Sequence, residues 1–529
     1  MSRSRAAALL FALLALLLPA AAQAFVWARS SDALTLDPHV ANEGPTTALV
    51  QNIYEGLTER DRTGRLGPLL AVSWRMLPED PTIWEFKLRQ GVVFQDGSRF
   101  SADDVVFSYR RALQPNSGFR DHLASVADIE KVDDTTVRFR TRRPNPVFIA
   151  NTPAILIMSK AWAEQHGTAT IPDSPISDAN FANAHANGTG AFVLVSRQPL
   201  VRTVLKRNEA YWNRGGVPLG IAELTYLPVP QASARVAALL AGTVDFLQDV
   251  PIQDLPRLRA RPGLTVTTGV ENRTIFLGFD VASPAPRGTD AGGRNPFADL
   301  RVRRAMNLAI DRDYIRRAVM RGEALPSGII IPPFVDGWTR ELDMPPPFSL
   351  PEARQLLAEA GYSEGFSTTL YCPNDRYVYD EETCRALVPM LARIGIRVTL
   401  VAQPQAAQSQ ALRRTPGPDV FLAGWGTLTY DSEYLFSSLY HSRDGQRGTY
   451  NATGYSDAET DALIDRISGE IDRSRRAGLI AQLWQKLRNQ TIYLPLFHQM
   501  LSYATKEAYE IPVDVANTPK LKLVAARGQ

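Results

Sequence analysis

A mixed α/β protein of more than one lobe is predicted by three observations. The chain is 529 residues long, more than one hydrophobic core usually serves. At roughly 100–200 residues per domain it calls for two to four lobes. Strand-like and helix-like patterns mix along the whole sequence, with no internal repeat and no low-complexity tract. From residue 367 to 423 they alternate regularly as strand, helix and strand, the pattern of an α/β layer. A composition of 45% hydrophobic and 21% charged residues excludes wholesale disorder. Lys+Arg 58 against Asp+Glu 55 gives a formal charge of +3, too balanced for a general nucleic-acid binder. Two Cys exclude a disulfide-dense scaffold, and six scattered His leave little material for a metal site.

The first element is not part of the fold. Arg3 and Arg5 precede an uninterrupted apolar run from Ala6 to Leu18, Pro19 breaks it, and Ala22-Gln23-Ala24 follows. This is the basic, apolar and small-x-small order of a secretory signal peptide, with cleavage expected after Ala24. The run is too short to span a bilayer of ~30 Å comfortably. No Cys lies near the cut, so a lipid anchor at that position is excluded. Losing the two arginines brings the formal charge from +3 to +1. No later run has transmembrane length, so the mature chain is expected to be soluble, exported and in an oxidising compartment. There Cys372 and Cys384 are the candidate disulfide pair.

The remaining elements follow in order. Residues 82–88 alternate apolar and polar and read as a strand with one buried face. Asp96-Gly97 is a turn, and Ser101 caps a helix over 102–113 with Asp103 and Asp104 at the positive end of its dipole. Residues 135–140, 192–195 and 201–205 read as strands, and 231–247 as a helix before Pro251. A second block opens near Asn272 with a strand over 274–279 and a polar loop over 282–296. Helices are expected over 298–320 and 350–360, separated by an irregular stretch over 336–347; Gly361 ends the second helix. Strands over 367–371, 396–401 and 419–423 alternate with a helix over 380–394, which Gly395 ends. Helices over 457–467 and 473–487 precede a last strand over 492–497.

The motifs between these elements form a recognisable series. It runs Leu36-Asp37-Pro38-His39, Ile53-Tyr54-Glu55-Gly56-Leu57, Trp84-Glu85-Phe86-Lys87-Leu88-Arg89-Gln90-Gly91, and Phe100-Ser101-Ala102-Asp103-Asp104-Val105. Asn187-Gly188-Thr189-Gly190, Tyr211-Trp212-Asn213, Asn295-Pro296-Phe297, Gly424-Trp425-Gly426 and Tyr455-Ser456-Asp457-Ala458 come after, in the same order. The ordered set resembles the solute-binding proteins of peptide-type ABC importers, solute-binding protein family 5, over nearly the whole mature chain. The resemblance implies a two-lobed periplasmic binding protein fold with hinged lobes, a ligand cleft between them and an extra subdomain in the first lobe. Mapped here, the first lobe is 25–55, 186–271 and 498–529, the subdomain 56–185 and the second lobe 272–497. The hinge falls near Glu271-Asn272 and Phe497-His498. The expected partners are a peptide or other small-molecule ligand and an inner-membrane ABC permease. The expected state is a periplasmic monomer with no cofactor and no metal.

Ligand choice is most legible in the loop after the strand over 419–423, because ligands gather at the carboxyl ends of strands in α/β lobes. Gly424 and Gly426 let backbone approach a ligand, Trp425 offers a flat apolar wall, and Thr427, Tyr430 and Asp431 add polar groups. The resemblance implies an Asp three residues after this Trp, pairing with the ligand's α-amino group, and that position is Leu428. A buried ammonium without an anion carries several kcal/mol of desolvation, so either Asp431 substitutes from a shifted loop or the ligand differs. The same stretch is similar to a loop of nickel-binding relatives, with His441 the only His near it. Glu43 and Gly44 fall where relatives bring an early loop to the ligand. Asn272 and Arg273 open the strand after the hinge, where Arg273 could hold a carboxylate bidentately. Trp84, Tyr211 and Trp212 read as core rather than ligand platform. The rival class is a secreted hydrolase, but the sequence has no G-x-S-x-G, H-E-x-x-H or G-x-x-x-x-G-K-[ST]. A sensory binding protein is a third possibility that the chain alone does not separate from a transporter component.

Overall fold

The computed structural model describes residues 24–174, 179–414 and 417–526. The export signal lies, apart from Ala24, outside them. In chain order the strands used below are β1 (Phe25–Arg29), β2 (Thr58–Arg60), β3 (Leu66–Pro68), β4 (Ala71–Leu77), β5 (Asp80–Leu88), β6 (Val126–Asp133), β7 (Thr136–Thr141), β8 (Phe192–Gln198), β9 (Arg202–Arg207), β10 (Glu223–Pro228), β11 (Phe246–Leu247), β12 (Leu264–Phe279), β13 (Ala324–Pro326), β14 (Phe366–Pro373), β15 (Ile396–Gln403), β16 (Val420–Trp425) and β17 (Tyr493–Lys506).

One sheet runs through the molecule in the order β15-β14-β16-β12-β17-β11-β1-β10-β9-β8, with β13 paired to β17. Its middle is the long antiparallel pair β12 and β17. The first part of β12, Leu264 to Val270, pairs with Lys506 back to Met500; the register then breaks before Thr274 meets His498. The two wings join this pair at opposite ends. On one side β11 meets β17 at Ala504 and Thr505, and β1 runs parallel to β10 and β11. On the other, β16 pairs with Thr274 to Phe279 of β12, and β14 runs parallel to β15 and β16. The register break thus sits at the waist of the sheet, between the wings.

A separate antiparallel sheet, β4-β5-β7-β6, stands beside the first wing. Helix Ala102–Ala112 covers it, started by Ser101 as expected, with Asp104 completing a capping box. It buries Tyr109 edge-on to Phe139 at 4.7 Å, and Phe86 and Phe148 close the same core. Each such fully buried side chain contributes about 1.5–3 kcal/mol.

Three expected elements change on folding. The helix expected over 231–247 is Ala232–Leu240, because Gly242 turns the chain at φ 76° and Phe246–Leu247 is drawn into the sheet as β11. The helix expected over 298–320 is Leu300–Ala309, and then a restart where the Asp311 side chain accepts from Tyr314 N–H. The last strand continues past Phe497 to Lys506, since it crosses both wings. Cys372 at the end of β14 is disulfide-bonded to Cys384 in helix Asp380–Ala392, with Cα atoms 6.5 Å apart. Among the described residues no helix is long and apolar enough to cross a membrane.

Candidate functional site

Two cavities open between the wings and meet at Arg60, Ala150 and Tyr430, which line both. The first, about 270 Å³, is walled by Thr47, Gln51 and Tyr54, by the late segment Asp514 to Lys522, and from the second wing by Gly426, Leu428 and Tyr430. The second, about 1100 Å³, lies between Trp74, Trp84 and Ile149 of the small sheet's side and Phe334, Asp336, Asp431 and Arg476 of the other.

The loop after β16 is fixed to the waist from below. Asn272 donates from Nδ2 to the Thr427 carbonyl (2.9 Å) and accepts from Thr427 N–H (3.2 Å). Gly426 lies so close to the Asn272 backbone that a Cβ there would stand 2.7 Å from its carbonyl oxygen. Any side chain would push the loop off β12. Tyr430 N–H donates to the Thr427 carbonyl (3.0 Å), and Tyr430 itself takes φ 58°. That places its ring into both cavities and turns Leu428, 47% exposed, toward the first.

Asp431 is fully engaged. Arg476 holds it bidentately at 2.7 Å on both oxygens, and its Oδ1 accepts from Glu433 N–H as the cap of helix Ser432–Leu435. Both side chains are nearly buried, so the carboxylate faces a guanidinium, not an open site. The idea that Asp431 takes over the missing acid's role finds no free carboxylate. Burial, with Asp431 close by, pushes the neighbouring Asp336 carboxyl up from its ordinary value.

The acids of the first cavity are also occupied. Asp61 accepts from Thr63 Oγ1 (2.6 Å) and from Arg65 Nε (3.3 Å). Glu55 accepts from Tyr211 Oη (2.7 Å), Trp212 Nε1 (2.8 Å) and Thr189 Oγ1 (2.9 Å). Burial still pushes its carboxyl upward. Lys522 pairs with Glu59 at 2.9 Å and Lys520 with Asp514 at 2.8 Å. Arg60 is different. Among the described residues it has no carboxylate partner. It donates instead to the carbonyls of Gly64 (2.9 Å), Ala150 (3.1 Å) and Thr429 (2.7 Å) and lies over the Tyr430 ring at 4.1 Å. Burial lowers its affinity for the proton. Thr429 and Tyr430 belong to the second wing, so this contact spans the cleft.

Of the ten ligand residues expected from sequence, Asn272, Gly426, Tyr430 and Asp431 line the cavities. The other six do not. Glu43 caps helix Gly44–Val50 by accepting from Thr46 N–H (2.8 Å), and the Gly44 carbonyl accepts from Arg29. Arg273 is held by Glu271 (3.3 Å) and faces the Tyr377 ring. Tyr377 Oη donates to the Gly424 carbonyl at 3.3 Å. Trp425 stacks on Tyr434 at 5.5 Å and meets Tyr450 edge-on at 5.2 Å, and it is half-buried among these neighbours of its own wing. Thr427 is buried beneath the loop. Tyr211 and Trp212 pack in the core around Glu55 as expected, whereas Trp84, though core, also edges the second cavity. Sequence reasoning missed Arg60 and the Asp514-to-Lys522 wall. Neither carries a local signal: one is an ordinary strand arginine, the other a tail brought back by the fold.

A model of the bacterial extracellular solute-binding proteins, family 5 (middle), matches residues 65–447. The chain is 25% identical over 489 residues to the glutathione-binding protein GsiB of Shigella dysenteriae, covering 91% of this chain and 90% of that protein. It is 26% identical, with the same coverage, to GsiB of Salmonella typhi. Among solved structures, HbpA2 from Haemophilus parasuis superposes with TM-score 0.81 at 23% identity, over 96% of this chain and all of that one. The periplasmic binding protein DppA of Helicobacter pylori in complex with peptide STSA gives TM-score 0.72 at 23% identity, over 95% and 98% of the two chains. At these identities the structural likeness is one of fold.

Proposed function

The chain belongs to the bacterial extracellular solute-binding proteins of family 5, and on that premise we propose that it is the periplasmic receptor of an ABC importer. It captures a peptide-like or other small polar organic solute between its two lobes and hands it to the permease without chemical change. The lobes are 25–55, 186–271 and 498–529 on one side and 272–497 on the other, with 56–185 as the subdomain. One observation carries the reading: the first cavity is walled from both sides of a two-strand waist, so a solute held there favours the closed form by its contacts with both. The named specificity of the GsiB relatives and the peptide held by DppA support a ligand of peptide type.

In this reading Asn272 and Gly426 set the loop, Leu428 and Tyr430 face the solute, and Arg60 closes over it. Export is supported by the fold's own beginning. Phe25, the residue after the expected cut, opens β1 and is buried in the core. The mass of the mature protein from periplasmic extract is expected to begin at Phe25, and the free receptor is expected to be monomeric.

Native mass spectrometry of freshly purified protein tests the proposal by identifying the co-purifying solute. Calorimetry against di- and tripeptides, glutathione and metal chelates then ranks the classes. Saturable, stoichiometric binding of an intact solute is expected. Turnover of a solute with no saturable binding would sink the receptor reading.

A further inference from the structure

The β8–β9 hairpin closes through Gln198-Pro199-Leu200-Val201, with Val201 N–H donating to the Gln198 carbonyl at 3.0 Å. Leu200 sits at φ 61°, a conformation that turns of this kind ordinarily give to Gly or Asn. It is also 81% exposed, the most exposed large hydrophobic side chain among the described residues. A strained backbone and an apolar side chain held in water are two separate departures at one residue, and packing explains neither.

The neighbourhood repeats the pattern. Val201 (56%) follows it and Val195 (54%) sits on the bulge of the same edge strand. Leu34 (53%) lies on the adjoining loop, which is bonded to the hairpin: Leu200 N–H donates to Asp32 (2.7 Å) and Arg197 to the Ala33 carbonyl. Arg202 and Lys206 alternate along β9, both exposed, and neither has an ion pair among the described residues. Glu223 stands in register with Lys206, at the end of β9 away from the turn.

The hairpin's place gives this surface a direction. Its turn stands beside the carboxyl end of β10, which runs parallel to β1. Leu34 N–H donates to Thr46 Oγ1 (2.9 Å), in the helix whose Thr47 and Val50 wall the first cavity. The tip therefore lies at the cleft end of the first lobe.

We propose that this tip is a membrane-contact element. Leu200 and Val201 seat in the headgroup layer of an anionic bilayer, with Arg202, beside the turn, among the lipid phosphates. An apolar tip with a basic border fits such a surface, the apolar part by burial and the basic part by charge. The contact would hold the cleft end of the receptor toward the membrane. It rests on the receptor reading for its setting only; the lipid contact is measured without any solute.

The test is co-sedimentation of the mature protein with vesicles of phosphatidylglycerol and phosphatidylethanolamine, against vesicles of phosphatidylcholine. Preferential, salt-sensitive binding to the anionic vesicles is expected. Arg202→Gln should weaken it about fivefold, one basic contact's worth. Leu200→Asn paired with Val201→Ser should abolish it. Leu200→Asn alone should unfold at no lower temperature than the wild type, since Asn suits this conformation, which separates lost contact from lost fold. Solute affinity should stay unchanged in all three variants. Equal sedimentation with both vesicle types, or variants that bind like the wild type, would overturn the proposal. So would loss of binding to detergent-solubilised permease in Leu200→Asn while wild type ignores vesicles, which would assign the surface to the permease instead.

Discussion

Single residues set what the first cavity accepts. Leu428 presents an alkyl side chain into a chamber whose own acids, Glu55, Glu59, Asp61 and Asp514, are already paired or hydrogen-bonded. A free α-amino group entering there meets no spare anion, and Asp431 is committed to Arg476. Leu428→Asp is therefore expected to tighten binding of free-amine peptides about tenfold or more, the worth of one charge-assisted hydrogen bond of about 1.5–3 kcal/mol. N-acetylated peptides should gain nothing. Calorimetry of the two series decides it, and equal affinities for free-amine peptides before and after substitution would show that the amine lies elsewhere. Arg60 sets closure instead of choice. It reaches the Thr429 carbonyl across the cleft and lies flat on Tyr430, while Gly64 leaves room for that ring: a Cβ there would stand 2.7 Å from it. Arg60→Ala should raise the solute's dissociation rate about tenfold. Arg60→Lys should not restore it, because an ammonium cannot serve three carbonyls and stack at once. Stopped-flow release from loaded protein measures both.

At the scale of elements, the disulfide is the clearest lever. Cys372 ends β14 and Cys384 lies in the helix that follows, so the bond closes a short loop behind Tyr377. In the chain-entropy account such a closure contributes about 3 kcal/mol. Reductant, or a Cys372→Ala/Cys384→Ala variant, is expected to lower the unfolding midpoint by several degrees in calorimetry, since both cysteines lie in the core shared by the wings. Elements like this helix were legible because their signals are local. Ser101 with Asp104 announces a capping box, and Gly361 and Gly395 end their helices at φ 88°. What sequence hid is non-local. Residues 264–270 continue β12 only because β17 lies beside them, and Phe246 leaves a helical pattern only because β1 accepts it. The site divides the same way. Gly426 and Leu428 stood out within one loop, whereas Arg60 gains its meaning from Thr429, 369 positions away. Glu43 and Trp425, chemically suited to a ligand, are used up by a helix cap and a Tyr434 stack that spacing alone does not show.

Across the whole molecule the small-sheet subdomain is bolted to the first lobe and only latched to the second. The bolt is buried. Arg111 grips Asp37 through Nη1 and Nη2 (2.7 and 2.5 Å), Asn180 supports Asp37 at 2.9 Å, and Arg111 Nε donates to the Thr168 carbonyl. His39 completes it, its Nε2 at 2.8 Å from the Leu156 carbonyl and its Nδ1 3.1 Å from Arg111. In the proposed closure, first lobe and subdomain would move against the second lobe as one body, about β12 and β17. The bolt also gives stability a pH dependence with a definite sign. Burial, and Arg111 beside it, push the His39 imidazole down to about 4, against an ordinary 6.5. Between those values the unfolded chain binds a proton that the folded one refuses, so stability falls as pH falls from about 6.5 to 4, by about 3 kcal/mol. Asp37 acts lower. Burial alone would raise its carboxyl, but the Arg111 contacts override that and hold it below the ordinary range. Its contribution is present above the ordinary carboxylate value and lost only as pH drops beneath it. Urea midpoints at pH 7, 5.5 and 4.5 should fall steadily in the wild type. In His39→Gln, whose amide can keep the bond to Leu156, the fall over this window should flatten while the baseline at pH 7 drops modestly. An undiminished slope in that variant would place the titration on another group and leave the bolt a purely mechanical feature.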